Sequence, residues 1–120
     1  MTIPTNITFQ GVPPSDALCA DIHNHVRKLE HVAGDALLCR VVVRMAEHSH
    51  RQGNRYSVHA RLLLSGHEVE AGLMSESDQQ HEDPYIAVAN TFEALRRRTE
   101  DYVRRRREHL KAYENRQAGL

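Results

Sequence analysis

Residues 37–74 read LLCRVVVRMAEHSHRQGNRYSVHARLLLSGHEVEAGLM, and the alternation within them decides the fold. In Leu37–Met45, Cys39, Val41, Val43 and Met45 share one side, while Leu38, Arg40, Val42 and Arg44 share the other. Successive side chains of a strand point to opposite faces, so this pattern predicts a strand. Tyr56–Leu64 repeats it, with Val58, Ala60, Leu62 and Leu64 inward and Ser57, His59 and Arg61 outward. Glu68–Met74 repeats it again, with Val69, Ala71 and Leu73 inward and Glu68 and Glu70 outward. The polar segment His48–Asn54 and the pair Ser65-Gly66 supply the turns. A meander of strands with one apolar and one largely polar face predicts an antiparallel sheet covered on one side.

The cover comes from the flanks. Upstream, Thr5–Gln10 places Ile7 and Phe9 on one face of a short strand, which Pro13-Pro14 stops. Ser15 is a suitable N-cap, and Leu18, Ile22, Val26 and Leu29 then recur on one helical face until Gly34. A helix over residues 15–33 is expected. Downstream, Ser75–Asp83 is acidic, polar and aperiodic, and reads as a loop. Asp83-Pro84 combines an N-cap with proline at the first helical position. Val88, Phe92, Leu95, Thr99, Tyr102 or Val103, and Leu110 carry the stripe of a second helix over residues 84–112. At about 1.5 Å per residue that helix is about 42 Å long, against strands of roughly 25–30 Å, so it should outrun the sheet. The expected class is α+β, in the order β-α-β-β-β-α, with both helices packed on one face of a four-stranded sheet. One domain over residues 5–112 is expected, the first strand–helix–strand unit being parallel, with a frayed tail at residues 113–120.

The 120 residues are 40% hydrophobic and 27% charged, the composition of a globular chain. No stretch approaches the roughly 20 apolar residues of a membrane span, and Met1-Thr2-Ile3-Pro4 has no signal-peptide character. A cytoplasmic location is expected. The net charge of zero conceals an asymmetry. Residues 1–83 hold 7 Lys+Arg against 11 Asp+Glu, whereas residues 84–120 hold 9 against 5. The basic half points to an anionic partner.

Most of that charge is arginine on the second helix. Arg97 and Arg104 fall opposite the Phe92 stripe, Arg98 and Arg105 on one flank, and Arg96 and Arg107 on the other. Guanidinium forks donate paired hydrogen bonds to phosphate and stack on bases, and arginine outnumbers lysine fourteen to two. The competing reading is a solvated face paired to Glu93, Glu100, Asp101 and Glu108, with Glu100–Arg104 and Asp101–Arg105 as i,i+4 pairs. Those pairs cannot neutralise seven arginines.

Other chemistry has little support. Of the nine histidines, His23 and His25 project about 200° apart on a helix and cannot share an ion, while His48 and His50 reach His67 only if loops meet. No HExxH or CxxC is present, so no metal site and no cofactor are expected. Cys19 and Cys39 read as core cysteines. Glu68 and Glu70 are expected to balance Arg40, Arg44, His59 and Arg61 across the sheet. With no phosphate loop, nucleophile elbow or obvious carboxylate pair, no enzymatic activity is expected.

Taken in order, these elements resemble the ribosome hibernation-promoting factor and ribosome-associated inhibitor family, also called sigma-54 modulation proteins, in its short single-domain form. The resemblance covers about residues 5–107. It rests on Ile7-x-Phe9, Lys28-Leu29-Glu30, Arg40-Val41-Val42-Val43, Asp83-Pro84-Tyr85-Ile86-Ala87-Val88 and the basic Leu95-Arg96-Arg97-Arg98. It departs at Ala89 and Ala94, where the family often carries an acid and a lysine, and the dimer-forming second domain of long members is not expected here. The resemblance implies the same fold, and binding to the small ribosomal subunit and its RNA in the channel used by messenger and transfer RNA, blocking translation in non-growing cells. It implies phosphate contacts by Arg27, Lys28, Arg97, Arg98, Arg104 and Arg105, to which Arg96 and Arg107 add the remaining exposed flank. The alternative function is a stress-related protein-interaction module whose long helix binds an acidic partner or forms a weak homodimer through Tyr102, Val103, Arg106 and Leu110.

Overall fold

The computed structural model describes residues 2–45, 55–72 and 82–118. The expected turn at residues 48–54, most of the acidic loop, Leu73 and Met74 therefore lie outside the described residues. The elements are β1 (Thr5–Gln10), α1 (Asp16–Ala33), β2 (Leu38–Met45), β3 (Tyr56–Leu64), β4 (His67–Ala71) and α2 (Pro84–Ala118). The sheet order is β1-β2-β3-β4. β1 pairs parallel with β2, as a strand joined through a helix must, and the other two pairings are antiparallel hairpin neighbours.

Local chemistry sets the helix starts. The Ser15 hydroxyl accepts the Leu18 N–H at 3.2 Å, and the Asp83 carboxylate accepts the Tyr85 N–H at 2.8 Å. Helix α1 ends at Ala33, and Gly34 follows with right-handed backbone, φ −65°. Both helical stripes meet the inward face of the sheet. Ile22, Val26 and Leu29 from α1 and Val88, Phe92 and Leu95 from α2 bury against Val41, Val43, Ala60 and Leu62. The other face of the sheet displays Asn6, Thr8, Gln10, Arg40 and Arg44 to solvent.

Two boundaries differ from expectation. β4 stops at Ala71 rather than running on to Met74. Gly72 adopts φ +80°, and the space its missing Cβ would fill is taken by the Val58 carbonyl and the Thr91 side chain. That carbonyl accepts the Thr91 hydroxyl at 2.9 Å, which ties α2 to β3. The second correction is at the other end of α2. Residues 113–118 are helical, not frayed, and the helix has 35 residues. Good helix formers continue past the last core contact, and no glycine intervenes before Gly119. The helix is about 52 Å long, and the molecule measures 67 × 28 × 18 Å. Burial ends at the half-buried Tyr102 and Val103, and every residue from Arg104 to Asn115 is exposed.

Candidate nucleic-acid interface

The core stripe of α2 fixes where its arginines go. With Phe92 and Leu95 turned to the sheet, residues 97 and 104 crest the helix, 96 and 107 lean towards α1, and 98 and 105 lean towards β4. Arg96 and Lys28 line one groove between the two helices, whose wall is formed by Glu93 and the stacked rings of His25 and Phe92. Arg27 is exposed on α1 and donates to Asn24 Oδ1 at 2.8 Å. On the opposite flank Arg98 donates to the Glu70 carbonyl at 2.7 Å, tying the helix to the edge strand. All the expected basic residues except the half-buried Arg96 are exposed, and they spread over three sides of the helical layer rather than converging on one point.

Their ion pairs differ from those expected. Arg96 donates to Glu100 at 2.7 Å, and Arg104 turns back to Asp101 at 2.6 Å instead of pairing with Glu100. Asp101 also takes Arg105, at 3.1 Å, as expected. Arg104 and Arg105 keep 67% and 76% of their side-chain surface in solvent, so these pairs leave most of each guanidinium available. Arg97, Arg107, Lys28 and Lys111 have no carboxylate partner among the described residues. Lys111 was not singled out from the sequence, although it lies seven residues from Arg104 and hence on nearly the same side of the helix.

Arg106, at the heart of the stripe, has no core beneath it. It donates to the Tyr102 hydroxyl at 3.2 Å and reaches the Ser65 carbonyl at 3.5 Å. Tyr102 in turn stacks on His67, ring centroids 4.0 Å apart. The tip of the β3–β4 hairpin thus clasps α2 where the core ends. Beyond it Leu110, expected on the apolar stripe, lies past the last core contact, and both it and Tyr113 are more than half exposed.

Of the remaining candidates, His23 is exposed and His25 half-buried, 3.7 Å from Asp21. Burial pushes the His25 pKa down, Asp21 opposes the shift and Lys28 adds to it. Burial pushes the Cys39 thiol up to about 12, which removes its nucleophilicity at neutral pH. Among the described residues no group of three or more His, Cys, Asp or Glu side chains could hold a metal ion. His48 and His50 lie outside those residues. No described helix is long and apolar enough to cross a membrane.

On the open sheet face, Arg61 takes both carboxylates. It pairs with Glu68 and, at 3.0 Å, with Glu70, while His59 lies 3.6 Å from Glu70. Burial acts to raise the Glu70 pKa, but the Arg61 charge and hydrogen bond, with His59 and Glu68 contributing, hold it below the ordinary value. Arg44 donates to Gln10 at 2.8 Å, not to a carboxylate, and Arg40 has no partner among the described residues. The expected balance of Glu68 and Glu70 against four cations is therefore held by Arg61 and His59 alone.

Solved structures share this fold. A ribosomal subunit interface protein from Coxiella burnetii superposes with a TM-score of 0.68 at 17% identity, covering 83% of this chain and 97% of that one. The Protein Y N-terminal domain of Thermus thermophilus superposes with a TM-score of 0.62, also at 17% identity, covering 85% and 99%. Comparison with curated protein sequences finds no match. Residues 5–107, nearly the whole folded unit, match the family described as sigma 54 modulation protein / S30EA ribosomal protein, and the chain belongs to that family.

Proposed function

We propose that this protein is a ribosome-associated translation inhibitor that binds RNA of the small subunit and blocks the channel for messenger and transfer RNA under stress or in stationary phase. The observation that carries the reading is the exposed arginine surface of α2, joined through the Lys28–Arg96 groove to α1. Family membership and the structural neighbours, a ribosomal subunit interface protein among them, support directing it to the ribosome. The role is binding, not catalysis, and it belongs in the cytoplasm. Arg97, Arg98, Arg104 and Arg105, with Arg27, Lys28, Arg96 and Arg107 around them, make the phosphate contacts. Shape and charge dominate recognition, because structured RNA offers its phosphates and sugar edges rather than readable bases.

The test is co-sedimentation with small subunits at several salt concentrations. Wild type pellets with the subunits, and affinity falls steeply with salt as counterions are released. Arg97, Arg98, Arg104 and Arg105 changed together to Glu abolish pelleting while the fold persists, since none of the four enters the core. Retained pelleting of that variant in moderate salt would overturn the reading. It would favour the alternative, for which the exposure of Leu110 and Tyr113 speaks: α2 as a surface for an acidic protein or a second copy.

A further inference from the structure

The open face of the sheet carries a hollow of about 400 Å³, lined by Asn6 and Thr8 from β1, Arg40 and Val42 from β2, and His59 and Arg61 from β3. Register explains its charge. Asn6, Arg40, Arg61 and Glu70 form one row across all four strands, each opposite the next. Glu70 and the neighbouring Glu68 are consumed by Arg61. Arg40 is left between a second guanidinium and a neutral amide, with no carboxylate among the described residues. The Asn6 and Thr8 side chains are likewise unpartnered there, while the His59 Nε2, shielded from solvent, faces Glu70 at 3.6 Å, beyond hydrogen-bond distance. The hollow therefore combines one free fork, an amide and a hydroxyl that can both donate, and a second arginine already neutralised behind them.

We propose that this hollow is a phosphate-binding site, centred on Arg40 and distinct from the arginines of α2. A guanidinium takes two oxygens of a phosphate in parallel, and the Asn6 amide and Thr8 hydroxyl donate from the adjoining strand to the others. The occupant is a phosphodiester of RNA, an identification that rests on the ribosome-binding reading above. Because the hollow opens on the face away from the helices, the two basic surfaces meet different RNA segments, and the domain is gripped from both sides. This suits a protein seated between walls of RNA rather than on one exposed helix.

Two measurements on the full chain test the site separately from the overall function. In the first, inorganic phosphate is titrated against chloride at matched ionic strength while backbone amides are followed by NMR. Saturable shifts confined to residues 6–8, 40–42 and 59–61 are expected, and Arg40→Gln should abolish them without disturbing the other resonances. Absence of such shifts, or their persistence in Arg40→Gln, overturns the proposal. In the second, small subunits are pelleted across a salt series. Arg40→Gln should weaken binding and lower the salt slope by about one contact, whereas Arg97→Gln with Arg104→Gln should weaken pelleting yet keep the phosphate shifts at the hollow. An unchanged slope in Arg40→Gln overturns the RNA assignment. If wild type does not pellet at all, the ribosome reading fails, RNA is withdrawn as the occupant, and the phosphate titration alone decides the site.

Discussion

His25 lies half-buried against Phe92, with ring centroids 5.4 Å apart, and it makes stability depend on pH. Its pKa in the folded chain is depressed, mainly by burial, from the ordinary 6.5. Below that value the unfolded chain takes up the proton first and so binds more protons, and stability falls with falling pH. The thermal midpoint should drop on going from about pH 7.5 to about pH 5.5, and drop less in His25→Gln; equal slopes would mean that His25 does not sense acidification. Phe92 itself is 3% exposed, so Phe92→Ala should cost about 3–5 kcal/mol in chemical denaturation. A cost below about 1 kcal/mol would place that side chain outside the core. Phe92 was legible in the sequence because the helical period alone puts it on the stripe. His25 was legible only in part. The i,i+2 spacing excludes an ion shared with His23, but the stacking depends on how α1 packs on α2, which no local pattern contains.

Helix α2 separates what periodicity can and cannot reveal. Its start follows from Asp83-Pro84, and its core face from the spacing of Val88, Phe92, Leu95 and Thr99. Its end was misplaced because the stripe thins after Val103, while the helix continues on propensity and on pairs such as Asp101–Arg105. The end of β4 at Ala71 was hidden for a similar reason, since Gly72 turns away at φ +80° against the Val58 carbonyl and Thr91, neighbours that only the packing brings together. The arginine faces were readable from the sequence; the anchoring of Arg98 on Glu70 and the isolation of Arg40 needed the strand register. Since residues 104–115 are exposed, removing residues 108–120 should lower the helical signal in circular dichroism. It should change the unfolding free energy by no more than about 0.5 kcal/mol, as for surface changes generally. The clasp of Arg106 on Ser65 remains in that truncation. A loss of several kcal/mol would mean that the projecting arm folds back on the domain.

At the scale of the whole molecule, this chain of zero net charge sorts its charges rather than accumulating one sign. The acids of β4 are held by Arg61 and His59, which leaves the helical layer basic. Within that layer Asp101 holds both Arg104 and Arg105, which makes it an internal competitor for RNA under the proposed function. These are exposed pairs worth about 0.2–0.5 kcal/mol each on a helix, so they are easily exchanged for phosphate, but the exchange leaves Asp101 facing the incoming anion. Asp101→Asn removes the competitor and the repulsion together. It should cost a few tenths of a kcal/mol in stability at most, while strengthening association with small subunits and steepening its salt dependence. Opposite signs for stability and binding are what distinguish an RNA-facing arginine surface from solvated decoration. If the arginines serve only to solvate the helix, Asp101→Asn weakens the fold slightly and leaves binding where it was. If they contact an acidic protein instead, the gain appears with that partner and is absent with ribosomal RNA.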